Sequence, residues 1–106
     1  MGDETPVVTD LEAMVQIADS GIVSKSIVEN DHHKIILFCF APGQELSEHT
    51  ASVPAVIHVL RGKGTVKLGD TVNEAGPGKH YYMPAELRHA VVAQDELVFL
   101  LTMFRT

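Results

Sequence analysis

The chain has 106 residues, enough for one domain with a single hydrophobic core and too few for two. Its formal charge is −6 with only eight Lys and Arg, scattered along the sequence, which excludes the clustered basic footprint of a nucleic-acid binder. A lone cysteine excludes an internal disulfide, and no apolar run is long enough to span a bilayer as a helix.

The N-terminal stretch MGDETPVVTD is acidic and lacks the basic start and apolar segment of a secretory signal, so a soluble cytoplasmic protein is expected. Residues 1–20 read as a tail followed by one short helix over 11–18. Asp10 stands as its N-cap, and apolar residues fall at 11, 14, 15 and 18.

From residue 21 to 106 the pattern changes to short runs of Val, Ile, Phe and Tyr separated by Gly, Pro, Asn and Asp at intervals near ten residues, which predicts an all-β sandwich or barrel. Strands are expected at 22–28, 34–41, 46–51, 55–60, 64–68, 80–83, 89–93 and 97–104. Turns fall at Asn30-Asp31, Pro42-Gly43, Gly69-Asp70 and Gly76-Pro77-Gly78. Cys39 lies inside an apolar run and reads as a small core hydrophobe. The last strand, LVFLLTMF, carries bulky residues on both faces, which predicts burial on both sides and, through that, a homodimer.

Chemistry concentrates in the histidines. His32 and His33 share a polar turn and read as solvated, while His49, His58, His80 and His89 lie on or beside predicted strands. An imidazole titrates near neutrality and can ligate a metal or move a proton. There is no Gly-rich phosphate loop, no Cys-x-x-Cys and no Ser-centred nucleophile elbow.

The segment from Pro42 to His49, the run VLRGKG, and the later Gly78, Pro84 and His89 together resemble the two motifs of the cupin superfamily. Gly43, His49 and Gly62 fit the frame G-x5-H-x-H-x(3,4)-E-x6-G, and Gly78, Pro84 and His89 fit G-x5-P-x-G-x2-H-x3-N. The resemblance spans about residues 35–104 and implies a jelly-roll β-barrel with an internal pocket, preceded here by the short N-terminal helix. It also implies that His49 and His89 hold a divalent ion: Zn, Ni, Fe or Mn.

The motif is incomplete. Ala51 stands where these proteins place a second histidine and Ala55 where they place the glutamate; Glu86 replaces a glycine and Ala93 an asparagine. A third ligand would have to come from His58, His80, Glu45 or Glu48. If Ala55 faces the cavity, strand alternation turns His58 outward unless a bulge follows Pro54. Phe38, Phe40, Ile57, Met83 and Phe99 are expected to line the pocket, and one of Tyr81 and Tyr82 should face in with a hydroxyl that needs a partner.

Two functions follow. One is a metal-dependent enzyme acting on a small organic molecule through His49 and His89. The other is a non-catalytic barrel that binds a small ligand in the same cavity after losing its metal ligands. Neither nucleic acid nor a membrane is expected as a partner.

Overall fold

A computed structural model of the protein describes residues 5–105. After a single helical turn, α1 (Leu11–Met14), come seven strands: β1 (Ile22–Glu29), β2 (His33–Phe40), β3 (Glu45–His49), β4 (Ala55–Leu68), β5 (Thr71–Ala75), β6 (His80–Met83) and β7 (His89–Phe104). All pairings are antiparallel.

β4 and β7 pair with each other along most of their length and belong to two layers at once. The first half of β4 and the second half of β7 lie between β6 on one side and β2 and β1 on the other. The remaining halves carry β5 and β3 at their edges. Side chains from both layers, among them Ile57 and Phe99 from one and Val66 and Val91 from the other, pack into one core. This is the jelly-roll barrel that the motif resemblance implies, and it agrees with the sandwich or barrel expected from the strand spacing.

The change of layer explains why 55–60 and 64–68, expected as two strands, form one continuous strand, as do 89–93 and 97–104. Register slips between Val59 and Arg61 and between Gly62 and Gly64, so the backbone bends without losing its ladder. At the bend the partner strand comes so close that a Cβ on Gly62 would lie 2.0 Å from the Glu96 carbonyl oxygen, and one on Gly64 would lie 2.1 Å from that of Val92. Glycine is the residue that fits.

β5 escapes sequence patterning because Thr71 and Val72 are both exposed and leave no alternation to read. It forms because Gly69 and Asp70 make a two-residue loop that sets Leu68 opposite Thr71.

Phe38, Phe40 and Phe99 form an aromatic group with ring centroids 5.3 to 6.2 Å apart. Phe40, Phe99, Ile57 and Met83 retain at most 2% of their surface. Such burial contributes roughly 1.5–3 kcal/mol for each large side chain. These four residues therefore make a close-packed floor inside the barrel, not the walls of an open pocket. Only Phe38 of the five expected pocket residues keeps appreciable exposure.

A second apolar layer lies on the outer side of the sheet. Leu37, Cys39 and Val98 are buried there beneath Met14, Val15 and Ile17 of the N-terminal arm, with Leu60 and Leu100 alongside. The helix is shorter than its sequence period suggests. Asp10 does cap it, accepting from Ala13 N at 3.3 Å, but Val15 is already extended at φ −62°, ψ 129°. The β-branched Val15 and Ile17 favour extended backbone, and from there they cover the sheet. This arm packs against the cluster around Val98 on the outer face of the last strand, while Phe104 at the strand's end stays 39% exposed. No helix among the described residues is long and apolar enough to cross a membrane.

Candidate functional site

His49 and His89 are separated by 39 intervening positions in sequence and face each other in register, the last residue of β3 opposite the first of β7. Their ring centroids are 4.2 Å apart with the planes inclined by 60°. The inner face of β7 is set by His89, Val91 and Ala93, all buried, with His89 6% exposed. His49 arrives on that face through a bulge. Leu46 pairs with Val91 and His49 with His89, so three steps on β3 match two on β7. Without the extra residue, Leu46 and His49 would point to opposite faces.

Each ring is held from behind. His49 Nδ1 lies 2.7 Å from the Ser47 carbonyl oxygen and His89 Nδ1 lies 2.9 Å from that of Leu87. A carbonyl oxygen only accepts, so each Nδ1 carries a proton, and it is Nε2 that is left to present a lone pair when a ring is neutral. Among the described residues Arg61 Nε is the one buried side-chain polar atom with no partner. His89 Nε2, which has no hydrogen bond, therefore keeps access to solvent despite the burial of its ring.

The other candidate ligands lie elsewhere. His58 does not join the pair: Ala55, Ile57 and Val59 are buried on the inner face and His58, between them, is exposed on the outer one. Residues 55–58 run in unbroken register with β6, so there is no bulge to turn it inward. His80 stands opposite His58 on the same outer face. Glu48 also turns outward, 3.5 Å from Lys67 Nζ and 3.9 Å from Arg88, and Glu45 is exposed beside Leu46. Among the described residues no three His, Cys, Asp or Glu side chains are grouped to hold a metal ion.

Two loops frame the pair, 50–54 and 84–88, tied by a 2.8 Å bond from Glu86 N to the Ala51 carbonyl oxygen. Glu86 has φ 67°, in the left-handed region that glycine occupies at least cost. This is the position where the motif frame places glycine. Ala55, at the frame's glutamate position, buries a methyl group on the inner face, with Met83 and Met103 as its strand partners.

Farther along β6, Tyr81 is buried and its hydroxyl donates to the Glu74 carbonyl oxygen, while Tyr82 is 57% exposed. Burial raises the Tyr81 phenol above its ordinary value of 10.0; a bond with the Gly76 backbone lowers it, and the Glu74 carboxylate adds a smaller upward push. A groove of about 190 Å³ lined by Lys63, Thr65, Glu74, Lys79 and Gln94, among others, lies beside this strand, with no histidine in its wall. Sequence reasoning did not find this groove, because its residues come from β4, β5, β7 and a loop and share no motif.

Residues 36–104 match the family described as a cupin domain. No curated protein matches the chain. Among solved structures, an RmlC-like cupin protein from Desulfovibrio desulfuricans is similar at 31% identity, covering 95% of this chain and 97% of that one with a TM-score of 0.81. A conserved protein of unknown function from Streptococcus pyogenes is 25% identical over 97% of this chain and 90% of that one, with a TM-score of 0.86. A cupin superfamily protein from Desulfitobacterium hafniense shares the fold at a TM-score of 0.86 and 21% identity, covering 91% of this chain and 88% of that one.

Proposed function

The chain belongs to the cupin domain family, and on that premise we propose that it is a small-ligand-binding barrel whose His49 and His89 imidazoles hold a polar organic molecule. The observation that carries this reading is the fixed tautomer of both rings. The ring centroids lie 4.2 Å apart and each Nδ1 is backed by a backbone carbonyl, which leaves Nε2 of each ring for a ligand. A neutral Nε2 accepts a hydrogen bond from a hydroxyl or amino group, and a protonated one donates to an oxygen. A molecule with neighbouring hydroxyl groups can engage both rings at once. The close-packed aromatic floor restricts the ligand to the outer part of the barrel.

Kinship with cupins implies a resident divalent ion held tightly inside the barrel, and the donor set here falls one protein ligand short of holding one that way. Catalytic zinc takes three protein ligands and open iron sites take two histidines with a carboxylate. This chain offers two neutral nitrogens, and at Ala55 a methyl group stands where a carboxylate would complete the set.

A second reading, a metal-dependent enzyme acting on a small organic molecule, is favoured by one observation. An imidazole whose other nitrogen is anchored on a carbonyl is the arrangement that outer-shell partners impose on metal-ligating histidines. In that case Zn, Ni, Fe or Mn would depend on the substrate to complete its shell.

The two readings separate in one experiment. Protein purified without added metal is assayed for bound metal, stripped with chelator, and screened for small polyhydroxy and hydroxy-acid ligands by NMR. The binding reading expects substoichiometric metal, ligand-induced shifts of the His49 and His89 ring resonances that survive chelation, and loss of binding, followed on the ligand's own signals, in His49→Ala/His89→Ala. Stoichiometric metal that resists dialysis, with ligand binding lost on chelation, would overturn it in favour of the enzyme.

A further inference from the structure

A second pair of histidines stands on the outside of the barrel. His58 of β4 and His80 of β6 are direct register partners, and both are exposed. Val59 N donates to the Lys79 carbonyl oxygen at 3.0 Å, which makes the adjacent 59/79 position a hydrogen-bonded one. The His58/His80 position is therefore of the other kind, where facing side chains stand closest, with Cβ atoms roughly 4.5–5.5 Å apart. Both residues project from the same face, since the residues flanking them, Ile57, Val59 and Tyr81, are buried on the opposite one.

Two imidazoles at that separation reach a single ion by side-chain rotation alone. Imidazole nitrogen suits Cu(II), Ni(II) and Zn(II), and the chain's net charge of −6 draws cations to its surface. β6 has four residues and pairs with β4 alone, so it is an edge strand held on one side. From β6 the chain runs through 84–88 directly into His89.

We propose that His58 and His80 form an exterior divalent-cation site, of the borderline class Cu(II), Ni(II) or Zn(II), that clamps edge strand β6 onto β4. Water completes the shell. The site shares no ligand with the His49/His89 pair and does not depend on the function proposed for that pair.

The test is a Ni(II) titration followed by paramagnetic broadening of backbone amides, with thermal unfolding in parallel, on the wild type, His58→Ala, His80→Ala and the double variant His49→Ala/His89→Ala. Saturable broadening centred on residues 56–60 and 79–82 is expected, and it should persist in the His49→Ala/His89→Ala variant. Because the two donors act as a chelate, losing either should weaken uptake at least about tenfold. The ion should raise the Tm of the wild type and of the double variant and leave His58→Ala unchanged. His49, His58 and His80 are exposed and His89 is buried, so unaltered amide spectra without metal are required of each variant, the double variant above all, to establish that it is folded. Wild-type affinity in His58→Ala or His80→Ala would overturn the proposal. So would broadening confined to the surroundings of His49 and His89 or of His32 and His33.

Discussion

His49/His89 and His58/His80 are built on the same relation, two histidines directly opposed across antiparallel strands, and they differ in what surrounds them. At the inner pair a bulge in β3 and the turn before β7 bring a backbone carbonyl to each Nδ1, and one of the two rings is buried. The outer pair stands in solvent on a regular ladder. Cross-strand opposition supplies proximity in both places; burial and anchoring of the rings supply preorganisation in only one. A preorganised pair binds its ligand with less ordering cost, so the inner pair suits selective recognition and the outer one suits an adaptable ion.

The comparison breaks most sharply if the inner pair is given its missing donor. Ala55→Glu should raise divalent-ion affinity there by about 100-fold or more, because a third donor closes the chelate. It should also lower the Tm of the metal-free protein, since a carboxylate is then buried without a partner. Calorimetric titration in a His58→Ala background measures the first effect. Unchanged affinity would mean that Ala55 and the two imidazoles do not share a site.

A smaller difference is expected in stability. His89→Ala leaves the Leu87 carbonyl without its donor in a half-buried place and should cost about 1–3 kcal/mol. His58→Ala, at an exposed position, should stay within about 0.5 kcal/mol. Denaturant midpoints at equal slope decide it, and equal losses would erase the inner-outer distinction.

The smallest effect concerns the two tyrosines of β6, one on each face. Tyr81→Phe removes a buried hydroxyl bonded to the Glu74 carbonyl and should cost about 1 kcal/mol, while Tyr82→Phe should cost less than half of that. The pH dependence has a definite sign. Burial raises the folded-state value of Tyr81 above 10.0, so its contribution is fully present below pH 10.0 and is lost as pH rises through the higher folded value. Unfolding midpoints of Tyr81→Phe should therefore fall less steeply above pH 10.0 than those of the wild type.

Much of this organisation was legible in the residues. Alternation placed His58 outside as soon as Ala55 was taken to face in, and the motif frame picked out His49 and His89 as a pair. The same frame marked Glu86 as a glycine position, where the backbone does adopt positive φ. Other features left no local mark. Periodicity over 11–18 suggested two turns of helix, whereas only one forms and the rest lies extended against the sheet. The sequence of the last strand does not reveal that the N-terminal arm packs on its outer face around Val98. Residues named as pocket lining proved to be packed floor, because inward direction is readable from a strand but the space left between opposing layers is not.

The sequence by itself determined most of the strands, with β5 the exception, their inner and outer faces, and the two histidines that meet, because a strand's side chains alternate whatever it packs against. The tertiary structure decided that the rings lie 4.2 Å apart and which ring nitrogens are left free. It also decided how deeply the barrel is filled and what covers its outer face. Those properties depend on bulges, carbonyl positions and the distance between layers, which are set by chain segments far apart in sequence and carry no local pattern.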